Sequence, residues 1–270
     1  MTVRLGLQRG GDAEVGALVI PATGFAVALA AAAAAGELDG LSSHELWAFF
    51  LIGLFVPGLS SILFVQAVRG AGSARTAILV GTAPLISALL AIALLDEPLQ
   101  AGLVAGTVLV VGGGIALAGE RVRPADFRAF GAMLALVCAV LFGMRDNAVR
   151  WANERGALPL AATAVSLLAA TAFVLVYLLV ARRDRLVAHL RIATPAFAPA
   201  GVALGLAYAA VVIALDRGRV TVVAPLNATQ SLWGVLLAAL VFGSAEMIGR
   251  RTVLAGMLVV AGAVVIGVSR

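Results

Sequence analysis

Along the whole chain, long uncharged apolar runs alternate with short polar punctuation. Cutting at the charged residues leaves nine long runs: 15–36, 46–68, 76–95, 98–119, 129–144, 156–181, 192–215, 220–245 and 252–269. Most are 18–26 residues long, and a helix needs about 20 residues to cross hydrocarbon. No period-2 alternation runs through them, so the strands of a closed barrel do not fit, and each run is predicted to be a helix that satisfies its own backbone. The shortest run, 129–144, is followed by Arg145, Asp146 and Asn147, after which Ala148, Val149 and Trp151 resume the apolar pattern. That helix is predicted to continue to about residue 152. The connections are short, the longest polar stretch being Arg182 to Arg191, and His44 and His189 are predicted to lie in loops.

Composition sharpens this picture. Of 270 residues, 62% are hydrophobic and 12% charged, whereas a soluble domain is about 25% charged. There is too little charge to coat a water-soluble globule, which excludes a cytosolic enzyme, a disordered tail and a disulfide scaffold. The net charge of +5 comes from arginines scattered singly between apolar runs, a pattern of headgroup anchors rather than of a nucleic-acid surface. The single cysteine, Cys138, permits no intrachain disulfide.

The chain also aligns with itself. Residues 3–10 match 149–156 with Arg4 over Arg150, Arg9 over Arg155 and Gly10 over Gly156; Arg69-Gly70 matches Arg217-Gly218; Ala105–Gly112 matches Ala255–Gly262. The offsets are 146, 148 and 150, which indicates duplication of a five-helix unit. The expected division is 1–122 for the first copy and 123–270 for the second. Position 1 corresponds to position 147, so the first copy is expected to hold four full helices and only the end of a fifth. Either the start lies upstream, or the chain is a nine-helix variant.

These residues carry a family resemblance. The stretch Thr82-Ala83-Pro84-Leu85-Ile86-Ser87 with Leu95-Asp96-Glu97-Pro98-Leu99, the small residues Ala105-Gly106 and Gly112-Gly113, the stretch Val223-Ala224-Pro225-Leu226-Asn227 through Trp233 with Glu246, and Phe142-Gly143 with Arg150 together resemble the EamA-type transporters of the drug/metabolite transporter superfamily. The resemblance spans the chain. It departs at the largely absent first helix, at the extra residue before Glu246, and at Pro84, whose place in the second copy is taken by Ser231 or Leu232. It implies an all-α membrane protein made of two inverted five-helix repeats, here with about nine transmembrane helices. It further implies a multi-pass protein of the cell's inner (plasma) membrane that exports small organic solutes.

Two clusters are the main candidates for solute contact. Arg145, Asp146 and Asn147 follow an uncharged run within a continuing helix, where each charge costs about 2.5–3.5 kcal/mol if it lies below the interface; they are expected to face a cavity, against the alternative of an interfacial ion pair. Asn227, Thr229, Gln230 and Ser231 crowd the middle of another run beside Trp233, whose ring offers a stacking face; interhelical hydrogen bonding is the rival reading. Thr82 and Ser87 are weaker counterparts. Pro84 and Pro225 are expected to bend or break their helices, as interrupted helices at matched repeat positions mark transport sites; packing kinks are the alternative. Gln66 and Tyr208 read as ordinary packed residues. Gly102-x-x-x-Gly106 and Gly201-x-x-x-Gly205 suit close helix packing within the bundle or in a homodimer.

Signatures of enzymes are missing. His44-Glu45 lacks the second histidine of a zinc protease, and neither a nucleophile elbow nor a P-loop occurs. No catalytic residue, metal site, cofactor or nucleic-acid partner is expected; the expected partners are a small-molecule substrate and the lipid bilayer. The alternatives are an accessory or lipid-carrier component without solute turnover and an inactive truncated transporter. Thirteen arginines fall on one side of the nine-helix arrangement and five on the other, with Arg145 unassigned. The positive-inside rule puts the thirteen in the cytoplasm, while the resemblance, with both ends of a ten-helix chain cytoplasmic, implies the reverse.

Overall fold

A computed structural model describes residues 2–39, 43–87, 90, 101–118, 128–154, 156–217, 223, 227, 230–242 and 249–268. Among these, all regular structure is helical: α1 (Thr2–Gln8), α2 (Ala13–Ala34), α3 (Ser43–Gly53), a wide π turn (Leu54–Leu59), α4 (Ser60–Ala71), α5 (Ser73–Val80), α6 (Ala101–Ala118), α7 (Ala129–Asn153), α8 (Pro159–Ala181), α9 (Arg183–Arg217), α10 (Gln230–Phe242) and α11 (Arg250–Val268). Six stretches among the described residues are long and apolar enough to span a membrane: Ala13–Ala34, His44–Ala71, Ala129–Asn153, Pro159–Ala181, Arg183–Arg217 and Arg250–Val268. Ala101–Leu117 and Trp233–Phe242 are shorter apolar helices.

The helix after residue 129 does run through Arg145–Asn147, ending at Asn153. Three expectations need correction. The run 76–95 is not one helix: α5 stops at Val80, Gly81 and Thr82 form a turn, and helix resumes over 83–87. The polar stretch after Arg182 is the first part of α9 rather than a connection, because Arg182 and Arg185 reach across to Glu14 and Asp12, both at 3.2 Å. His189 accordingly lies on a helix, and His44 is also helical, in the first turn of α3.

The helices form two compact units, each drawing on both sequence copies: residues 2–65 with 148–218, and 66–147 with 219–270. In the first unit, α2 packs on α8 and α9 through small residues. A Cβ at Gly201 would lie 2.6 Å from the Ile20 carbonyl, and one at Gly205 would lie 2.8 Å from that of Gly24. On the other side of α8, a Cβ at Gly53 would collide with the backbone of Ser166, and Gly58 approaches Ala170. These are one interface made twice. Ser166 and Ala170 each lie 146 residues after Ile20 and Gly24, and Gly201 lies 148 after Gly53. The repeat read from sequence therefore recurs as repeated packing. Such contacts are van der Waals in kind, since lipid offers no hydrophobic drive between helices.

Polar side chains close the ends of this unit. Asp12 caps α2 by accepting from the N–H groups of Glu14 (2.9 Å) and Val15 (3.1 Å). Glu37 caps α8 from far away in sequence, accepting from Leu160 N–H (2.8 Å) and Ala161 N–H (3.0 Å). Trp47 and Trp151, both at helix ends, meet edge to face at 6.0 Å.

In the second unit, α6 lies against α11. Gly106 meets Gly262 and Ile266, whereas Gly113, farther along α6, meets Ala255 and Val259, farther back along α11. The two helices thus run antiparallel, and they are the matched helices of the two copies, as expected of an inverted repeat. α10 sits on α5, with Gly234 over Ala77.

Candidate functional site

A buried polar cluster in the second unit lies where α7 crosses the short helical stretch 83–87. Gly143 makes the crossing possible: a Cβ there would sit 2.9 Å from the Ala83 carbonyl and 3.1 Å from Ser87 N. One turn later, Asn147 donates its amide to Ser87 Oγ (2.8 Å) and to the Gly143 carbonyl (3.0 Å). Ser87 is buried. The interruption at Gly81–Thr82 sits just before Pro84, a buried residue, and the Thr82 hydroxyl donates a hydrogen bond to the Leu79 carbonyl (2.7 Å) at the end of α5.

Arg145 and Asp146 form an ion pair, Nη2 to Oδ1 at 2.7 Å with Nε to the same oxygen at 3.0 Å. Their side chains are only 9% and 10% exposed. The guanidinium also lies over the Phe142 ring, 5.2 Å from its centroid. Pairing makes the local charge neutral and lowers the cost of keeping both groups away from water. Asp146 Oδ2 makes no hydrogen bond among the described residues. Arg145, Asp146, Asn147 and Ser87 are therefore brought together on adjoining turns.

The second predicted cluster is not gathered in the same way. Gln230 and Trp233 on α10 are exposed, Asn227 is half-buried, and no hydrogen bond joins any of the three to another side chain among the described residues. Thr229 and Pro225 lie outside the described residues, as do Glu97, Glu246 and the side chain of Ser231.

Sequence reasoning missed one feature, in the first unit. The span His44–Ala71 is broken near its middle, where Val56 takes extended angles (φ −138°, ψ 112°) before Pro57. The freed Val56 carbonyl accepts from the Tyr208 hydroxyl (3.2 Å), and that of Pro57 accepts from Ser61 (2.6 Å). The signal was present as Pro57-Gly58 inside an apolar run. Tyr208 is thus a specific partner of that break, not a generic core residue. Arg75, read as a headgroup anchor, is 2% exposed.

Antiparallel matched helices, membrane-length apolar spans and a buried ionic cluster on one of them define a polytopic membrane protein of duplicated design. A family profile for EamA-like transporters matches residues 15–118 and again 129–268, and the chain belongs to the EamA-like transporter family. One protein solved by crystallography overlays it with a TM-score of 0.66 at 21% identity, covering 98% of this chain and 91% of that one. At that identity the likeness speaks to the fold. No curated protein matches the sequence.

Proposed function

We propose that this protein is a secondary transporter that exports small organic solutes across the inner membrane by alternating access. The observation that carries the reading is the buried Arg145–Asp146 pair with Asn147 and Ser87 beside it, within a chain of a transporter family. Ionisable groups inside a span are costly and are retained at substrate or proton paths. Here the paired charges suit a polar or zwitterionic solute: a carboxylate drawn to Arg145, or an amine drawn to Asp146. Asn227, Gln230 and Trp233 belong to the same reading as contacts along the path. The interrupted helix at Val56 supports it too, since broken helices in transporters free backbone groups at mid-membrane depth.

The test uses proteoliposomes of the full chain loaded with a pooled set of amino acids and other small polar metabolites. Mass spectrometry of the external medium identifies solutes whose release needs the protein. Asp146→Asn should reduce that release by about tenfold or more, the loss of a charge-assisted contact, with reconstitution unchanged. Wild-type release from Asp146→Asn and Ser87→Ala would remove these residues from the path. No protein-dependent release of any solute would remove the transport reading.

A further inference from the structure

The ends of two spanning stretches meet at a place the transport reading does not use. The span ending at Ala71 and the one beginning at Ala129 are joined where the Arg128 N–H donates to the Gly70 carbonyl (2.7 Å). Gly70 and Gly131 touch backbone to backbone: a Cβ on Gly131 would lie 2.8 Å from Gly70 Cα. This contact fixes the positions of Arg69 and Arg128, which line one cavity of about 360 Å³ together with Gln66, Phe130 and Leu134.

The wall of that cavity is graded. Both arginines are exposed, and neither has an ion-pair partner among the described residues. Gln66 precedes Arg69 by one helical turn and so shares its face. Phe130 and Leu134 are four residues apart on α7 and lead from the cationic rim into the span; Phe130 is 63% exposed. Cationic at the helix ends and apolar deeper, the cavity has the polarity profile of one phospholipid molecule. Two guanidinium groups around one cavity, with no carboxylate among its described lining residues, repel each other unless an anion joins them, and guanidinium matches phosphate oxygens in pairs.

We propose that this cavity binds the phosphate of an anionic phospholipid. Arg69 and Arg128 clasp the headgroup, Gln66 donates its amide, and an acyl chain lies along Phe130 and Leu134. Free phosphate shares the headgroup chemistry but gains nothing from the apolar wall, so the lipid is the occupant.

The proposal is tested by native mass spectrometry and thermal unfolding of the full chain in neutral detergent. Phosphatidylglycerol, phosphatidylcholine and inorganic phosphate are titrated separately. Phosphatidylglycerol should bind and raise the unfolding temperature, and the other two should do so weakly. The double substitution Arg69→Gln with Arg128→Gln should weaken phosphatidylglycerol binding about tenfold or more. Arg183→Gln with Arg191→Gln, two exposed arginines elsewhere, should leave it near wild type. If the double variant does not fold, each single substitution should weaken binding several-fold. Binding unaltered by the substitutions at Arg69 and Arg128, or weakened equally by the control pair, overturns the site. Equal protection by inorganic phosphate overturns the lipid as its occupant. All readouts are binding and stability, so they stand or fall separately from solute release.

Discussion

Side chains at successive helix positions point roughly 100° apart, so Arg145 and Asp146 do not face each other by default. Their ion pair exists because the long arginine wraps back over Phe142 to reach its neighbour's oxygen. Removing only the acid takes away the carboxylate that pairs with a buried guanidinium. Asp146→Ala should therefore destabilise the folded protein by about 3–5 kcal/mol. The double substitution Arg145→Met with Asp146→Leu should recover most of that loss while leaving transport abolished. Thermal unfolding in detergent alongside solute release separates the two outcomes: if the double variant also transports, the pair is structural only. Glu37 gives a simpler case. Its Oε2 accepts from two N–H groups in the first turn of α8, where Leu158 makes no side-chain cap. Glu37→Ala should cost about 0.5–2 kcal/mol, and Glu37→Gln, which keeps an acceptor, clearly less. Equal melting temperatures for the two variants would contradict a capping role. Nothing in the sequence marked Glu37 for this, since its partners lie more than 120 positions away.

At the scale of helices, most elements could be read from apolar run length because hydrocarbon thickness sets a length that composition records directly. What run length misses is an interruption without a charge. Val56–Pro57 and Gly81–Thr82 both break helices inside uncharged runs, and only Pro and Gly in the sequence betray them. The first break is held by a side chain from another helix. Tyr208→Phe leaves the Val56 carbonyl without that donor and should cost about 1–3 kcal/mol, read as a lower unfolding temperature; an unchanged one would mean that the bond contributes nothing. The twice-used interface makes a paired forecast. Gly53→Leu and Gly201→Leu remove equivalent contacts, against Ser166 and Ile20 respectively. Both should impair folding, seen as loss of the monodisperse peak in size-exclusion chromatography. A harmless Gly201→Leu would show that α2 and α9 do not depend on close approach. The Gly201-x-x-x-Gly205 spacing was visible beforehand, but its partner Gly24 was not, because a spacing motif names one surface and never the other.

For the molecule as a whole, the duplication was legible because three anchors kept nearly one offset, and the packing repeats that offset independently. Which residues would meet in a site was less legible: the Asn147–Ser87 contact joins positions 60 residues apart through a glycine crossing that no pattern announces. The arginine bias assigns Arg69 and Arg128 to the cytoplasmic face. With Cys138→Ala as background, Arg128→Cys should react in intact cells with a membrane-permeant maleimide and resist an impermeant one. Labelling by the impermeant reagent would reverse the orientation. The antiparallel contact of α6 with α11 bears on ancestry. A single unfused copy could make that glycine contact only with a neighbour inserted upside down in the bilayer, so its population would have needed both orientations at once. Fusion removed that requirement.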